Sequence, residues 1–134
     1  MKYSKPAGIL LCIFSLICLA ACARPDVKEI AAQSEFSSGL SLFDNGQYEE
    51  AIPHFEKATE FVPAFWRAYL YQGRSYLGLE KWKEAIPPLK TAFRIAPEES
   101  HKEIAKIVMD VFFKNTSKID QKTQTEFIKL LGLQ

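Results

Sequence analysis

"GQYEEAIPHFEKATEFVP" at residues 46–63 returns thirty-four positions later as "EKWKEAIPPLKTAFRIAP" at residues 80–97. Over 32–65 against 66–99 the identical pairs are Gly39/Gly73, Ser41/Ser75, Glu50/Glu84, Ala51/Ala85, Ile52/Ile86, Pro53/Pro87, Ala58/Ala92 and Pro63/Pro97. A fixed period of this size marks one supersecondary unit stacked on another. The pairs also have physical meaning. Gly or Ala at a helix crossing lets two backbones approach to the short end of the range of about 8–10 Å, with bulky rings filling the wedge beside them. Pro63 and Pro97 push Val62 and Ala96 out of the helical region and end a helix in each unit. Pro53 and Pro87 fall about two turns into their helices, where a missing amide is expected to bend them slightly.

Beyond Pro97 the repeat fades while the helical period continues. Ile104, Ile107, Val108, Val111 and Phe112 form one apolar stripe, with Lys102, Lys106 and Asp110 opposite. After Asn115-Thr116-Ser117, a second stripe runs through Ile119, Thr123, Phe127, Leu130 and Leu131 to Gly132. This pair of helices has the length of a third unit without its alanines or closing proline, as expected of an atypical terminal cap.

The period and its residues resemble the tetratricopeptide repeat (TPR) family over 32–99. Gly39 and Gly73 match the small residue of the first helix, Leu42 and Tyr76 its large apolar position, and Tyr48 and Trp82 the aromatic opening the second helix. Ala51, Ala58, Ala85 and Ala92 match the paired alanines, with Phe55 and Leu89 between them. Departures are Glu35, where the family prefers Trp or Leu, and Ser38 and Gln72, where it prefers Leu. The resemblance implies an all-α fold, a short α-solenoid of helix-turn-helix repeats with about six helices. Its units are a first repeat at 32–65, a second at 66–99 and a degenerate third repeat with capping helices at 100–134.

The first residues are of another kind. Lys2 and Lys5 precede an almost wholly apolar run from Ala7 to Ala21, the pattern of a secretory signal. A membrane-spanning helix needs about 20 apolar residues and this run is shorter, which favours a cleaved signal over an anchor. Leu19-Ala20-Ala21-Cys22 resembles the lipobox of bacterial lipoproteins. That resemblance implies cleavage after residue 21, lipidation of Cys22, and a lipidated tether at 22–31; the stretch "ARPDVKEIAAQS" that follows the cysteine reads as a short tether that turns helical. Ala23 stands where an Asp would retain such a protein at the inner membrane, so it implies an outer-membrane lipoprotein facing the periplasm of the bacterial cell envelope. All three cysteines, Cys12, Cys18 and Cys22, lie in this stretch. The mature chain then has no thiol for disulfide, metal or nucleophilic chemistry, although export would favour disulfides.

The mature chain carries 15 basic and 16 acidic residues, so nothing in its charge suggests a nucleic-acid partner. Membrane attachment would rest on acyl chains, more than one of which makes anchoring stable. His54 has no metal-spaced partner, and His101 beside Glu98 reads as a solvated helix start. Glu49/Glu50 and Glu98/Glu99 sit where acids favour a helix N-terminus. The chain has no Gly-rich phosphate loop and no Gly-x-Ser-x-Gly. The reading is a protein without catalytic residues, metal or cofactor.

What remains is protein binding. In tetratricopeptide arrays the first helices line a concave groove, and the resemblance assigns to it Gln33, Phe36, Leu40, Phe43, Asp44, Arg67, Leu70, Arg74, Leu77 and Gly78. It continues the groove through His101, Ile104, Val108, Val111 and Phe112. Phe36 and Leu40 replace residues of the family's clamp for C-terminal carboxylates, so that clamp is not expected. An apolar groove with Arg67 and Arg74 suits a segment with apolar anchors and an acid. The alternative for Phe36, Leu40 and Phe43 is packing against the tether or terminal helix, while Phe61, Phe65 and Trp66 read as core. Two functions follow: a lipid-anchored adaptor for an envelope protein, or a structural subunit that self-associates into a homo-oligomer or assists an envelope assembly. Cys22→Ser is expected to leave an uncut precursor or release the protein from the detergent phase of a membrane fraction; partition and migration unchanged from the parent would reject the lipidation reading.

Overall fold

In the computed structural model, residues 26–132 are described. They form six α-helices and no strand: α1 (Val27–Asp44), α2 (Tyr48–Phe61), α3 (Trp66–Gly78), α4 (Trp82–Ile95), α5 (Glu98–Asn115) and α6 (Gln121–Leu130), with a 3₁₀ turn at Thr116–Lys118. The all-helical solenoid expected from the repeat is what forms. The signal run and Cys22 lie outside the described residues. Asp26 accepts a hydrogen bond from the Lys28 amide and caps α1. The helix therefore begins at Val27, within the stretch expected to turn helical.

The close crossings are set by small residues facing large ones. A Cβ on Gly39 of α1 would stand 2.7 Å from Phe55 Cε1 of α2, and one on Gly73 of α3 would stand 2.5 Å from Leu89 Cγ of α4. The two contacts are one repeat apart and do the same job. Ala51, Ala58, Ala85 and Ala92 are fully buried beside them. Gly78 receives the Tyr48 ring in the same way, 2.6 Å from where its Cβ would be, which docks the start of α2 on the end of α3.

The turns repeat as well. Gly46 and Glu80, at equivalent positions, both have left-handed backbone, with φ of 78° and 57°. Around each, paired amide bonds reach back to the preceding helix: Gly46 to Phe43 and Gln47 to Leu42, then Glu80 to Leu77 and Lys81 to Tyr76. These satisfy carbonyls that the helix end would leave open. Glycine adopts this conformation without penalty, whereas a side chain there costs about 1–2 kcal/mol. Glu80 also pairs with Lys118, tying the second repeat to the turn between α5 and α6. Val62 and Ala96, each before a proline, are extended as expected. The α-helix is maintained through Pro53 in α2 and through both Pro87 and Pro88 in α4.

Two core clusters result. In the first, Phe36, Ala51, Phe55, Ala58 and Ala68 join α1, α2 and α3. In the second, Leu70, Leu77 and Leu89 of the second repeat meet Ile104, Val108 and Phe112 of α5, Ile119 of the link that follows it and Phe127 of α6. Phe61 is an exception to its core assignment. It ends α2 and remains 40% exposed, because the chain turns away at Val62 before any helix covers it.

Two of the residues that depart from the family pattern make polar cross-links, while the Ser38 hydroxyl donates to the Ser34 carbonyl within α1. His54 Nδ1 lies 2.7 Å from Glu35 Oε2, between α1 and α2. Gln72 Nε2 donates to Glu56 Oε1 at 3.1 Å, between α3 and α2. The terminal pair is arranged differently from the repeats. With no Gly or Ala at a crossing, the Phe112 and Phe127 rings stand between α5 and α6 with centroids 5.8 Å apart, and α6 lies closer to α4. Asp120 caps α6, accepting from the Thr123 hydroxyl at 2.6 Å and the Thr123 amide at 3.1 Å.

Ala85→Leu inserts atoms at a fully buried crossing and is expected to cost about 1–3 kcal/mol; a thermal melt of residues 22–134 without loss of stability would reject this placement. The Thr123 hydroxyl, and then its amide, hold the Asp120 carboxyl below the usual aspartate range, with Lys83 adding to the effect. A depressed carboxylate pKa contributes stability that is present above the unfolded value and lost as pH falls through the folded one. Hydrogen exchange in the first turn of α6 is therefore expected to speed up below the ordinary aspartate range after allowance for the intrinsic rate, and to lose that acid-dependent change in Asp120→Asn.

Candidate partner-binding groove

The first helix of each unit contributes to one concave cavity of about 310 Å³. From α1 come Phe36 and Leu40, and from α3 come Trp66, Arg67, Leu70, Tyr71 and Arg74. Ser100, Glu103 and Ile107 come from α5. Five of the assigned groove residues, Phe36, Leu40, Arg67, Leu70 and Arg74, thus meet around one space.

Their roles differ. Phe36 is buried and belongs to the aromatic core, its ring 4.8 Å from Phe65, 5.6 Å from Tyr71 and 5.8 Å from Phe55 between centroids. Leu70 is buried too, so these two form a floor while Leu40 remains half-buried above it. Arg74 lies over two rings, 4.9 Å from the Phe43 centroid and 4.7 Å from that of Tyr71. Arg67 lies 5.3 Å from the centroid of its neighbour Trp66. Among the described residues neither arginine pairs with a carboxylate, although Glu103 lines the same cavity. The rings hold the guanidinium of Arg74 in place and leave its donors available.

Other assigned positions lie elsewhere. Phe43 flanks the cavity through Arg74, and Leu77 is buried in the second cluster. Gln33 lines a separate hollow at the start of α1, Asp44 is exposed at the far end of that helix, and Gly78 lies beneath Tyr48. The third unit departs most. Ile104, Val108 and Phe112 are core, and Val111 packs against that core. His101 stacks on Phe93 at 4.4 Å, with Nε2 lying 3.1 Å from the Ala96 carbonyl oxygen. The physical reason is rotation. The buried stripe of α5 runs 104–108–112, which turns Ser100, Glu103 and Ile107 toward the cavity and breaks the register of the first two units.

Tyr71 is the residue that the sequence pattern did not single out. Its ring touches Phe36, Phe43 and Phe55, so one side chain of the second repeat joins both helices of the first. A tyrosine one residue after Leu70, on the groove side of an amphipathic helix, was the available signal.

Comparison with protein families agrees with this architecture. The family described as "Regulator of microtubule dynamics protein 1-3" matches residues 41–123, more than half of the chain, from the last turn of α1 into α6. The chain belongs to that family. Comparison with curated proteins returned no match. Among solved structures, the MamA RS-1 ArsTM double mutant, a TPR-like protein, is similar with a TM-score of 0.55 and 26% sequence identity over 93% of this chain. The chain spans 65% of that structure's length, a little under two thirds. The helical stack of a TPR-type repeat is therefore common to this chain and that structure.

Proposed function

We propose that the protein is a lipid-anchored adaptor of the bacterial cell envelope, non-enzymatic, held in the outer membrane through Cys22 and offering its groove to a protein partner in the periplasm. The observation that carries the binding half of this reading is the cavity between α1, α3 and α5. It has an apolar floor at Phe36 and Leu70, and two arginines without carboxylate partners among the described residues. Its chemistry suits an extended or helical segment that brings an apolar anchor and a carboxylate. The TPR-type repeat supports protein binding in general. The lipobox at the end of an apolar signal run supports the anchor.

A charge in such a groove orients a ligand, while the apolar floor supplies most of the buried area. Arg74→Glu is expected to lower crosslinked recovery of a periplasmic partner by about ten-fold, the size of a 1.4 kcal/mol loss. Losing its contacts with Phe43 and Tyr71 is expected to cost about 0.5–1 kcal/mol of stability, too little to unfold the domain. Arg94→Glu, in the last turn of α4 and away from the cavity, serves as the control. Equal recovery by the parent and both variants would reject the groove as the working surface.

A further inference from the structure

The large apolar side chains exposed among the described residues are Val27, Ile30, Phe61 and Phe113. Three of the four gather at one end of the stack. Val27 and Ile30 lie in the first turns of α1, 78% and 56% exposed, and Phe61 ends the antiparallel α2. Between these helix ends is an open hollow of about 700 Å³, lined by apolar Ile30, Ala32, Val62, Ala64 and Phe65 and by polar Glu29, Gln33, Ser34 and Ser37 of α1. Phe113 is near the end of α5, at the opposite end of the stack.

What can cover this end follows from chain length. Val27 follows Cys22 by five positions, and an extended chain spans at most about 18 Å over five residues. Asp26 caps the helix, so the solenoid begins at once. Resting on the anchor reading above, we propose that the end carrying Val27, Ile30 and Phe61 lies against the bilayer surface that holds the Cys22 acyl chains. Apolar side chains at this depth enter the boundary between headgroups and acyl chains. The nearby charges, Asp26, Lys28, Glu29 and Glu60, sum to −2, so contact depends on the anchor and the apolar side chains and draws nothing from electrostatic attraction to an anionic surface. The orientation that follows sets the solenoid with the starts of α1, α3 and α5 toward the lipid and Phe113 away from it. The groove then opens beside the membrane and not beneath it.

The test uses the full chain, processed in its host and reconstituted into vesicles of phosphatidylethanolamine and phosphatidylglycerol with brominated acyl chains. Phe61→Trp and Phe113→Trp each add a tryptophan at an exposed apolar position, and the added emission is measured over the parent protein. The position-61 signal is expected to lose most of its intensity to the bromines, and the position-113 signal to keep its own. Ile30→Trp gives the same readout from α1 should Phe61→Trp fail to fold. Acyl mass on Cys22 and co-sedimentation with vesicles are measured in parallel. An acylated, vesicle-bound protein with equal quenching at 61 and 113, or none at 61, overturns the proposal while leaving the anchor intact. That result would be expected if a second copy or the protein's own acyl chain filled the hollow. A protein with no acyl mass overturns the anchor, and this surface with it.

Discussion

The structure depends on one steric constraint, met twice: a glycine on the first helix of each repeat must lie against a large side chain of the second. Phe55 occupies the space that a Cβ on Gly39 would need, and Leu89 does so at Gly73. The fully buried alanines at 51, 58, 85 and 92 extend the close approach along α2 and α4. Once the helices are that close, their outer faces diverge, and the first helices are left side by side around a cavity. The groove is a geometric result of the crossings.

Tyr71 and Arg74 link this frame to the working surface. Tyr71 packs on three rings of the first repeat, and Arg74 lies over Tyr71 and Phe43. The core that holds the two repeats together thus also orients the charge at the groove. An arginine held by rings loses less freedom on binding a carboxylate than one that is free to sample its rotamers. Glu103 on the facing helix gives the cavity both signs of charge, which restricts the orientation of any acidic ligand.

Much of this was legible in the sequence because it repeats. The Gly39/Gly73 and Ala51/Ala85 pairs located the crossings, Pro63 and Pro97 located the helix ends, and five residues of the cavity were placed from the family's groove positions. The third unit was less legible. Its stripe at 104, 108 and 112 gives a helix but not its rotation, which is decided by how Phe112 and Phe127 pack when the paired alanines of the repeats are missing. Carrying the groove on through Ile104, Val108 and Phe112 therefore pointed to the core, and Ser100, Glu103 and Ile107 were missed. Phe61 was misplaced for a related reason: a large apolar residue at a turn looks buried until it is known which element covers it. Tyr71 escaped notice because its value lies in contacts across the repeat boundary, which an internal comparison of repeats does not weigh.

The terminal pair has a consequence for cooperativity. Helices that approach closely are at most two places apart in chain order, so no contact of this kind joins α1 or α2 to α5 or α6. Stability in such a stack is close to a sum of unit and nearest-neighbour energies. The weakest boundary then sets where opening begins, and here it is the terminal unit, which joins the second cluster through Ile104, Val108, Phe112, Ile119 and Phe127 without a tight glycine crossing of its own. Unfolding is expected to spread from α6 toward α1, with the first repeat as the last folded unit. A single unfolding free energy would describe this chain less well than a gradient along it.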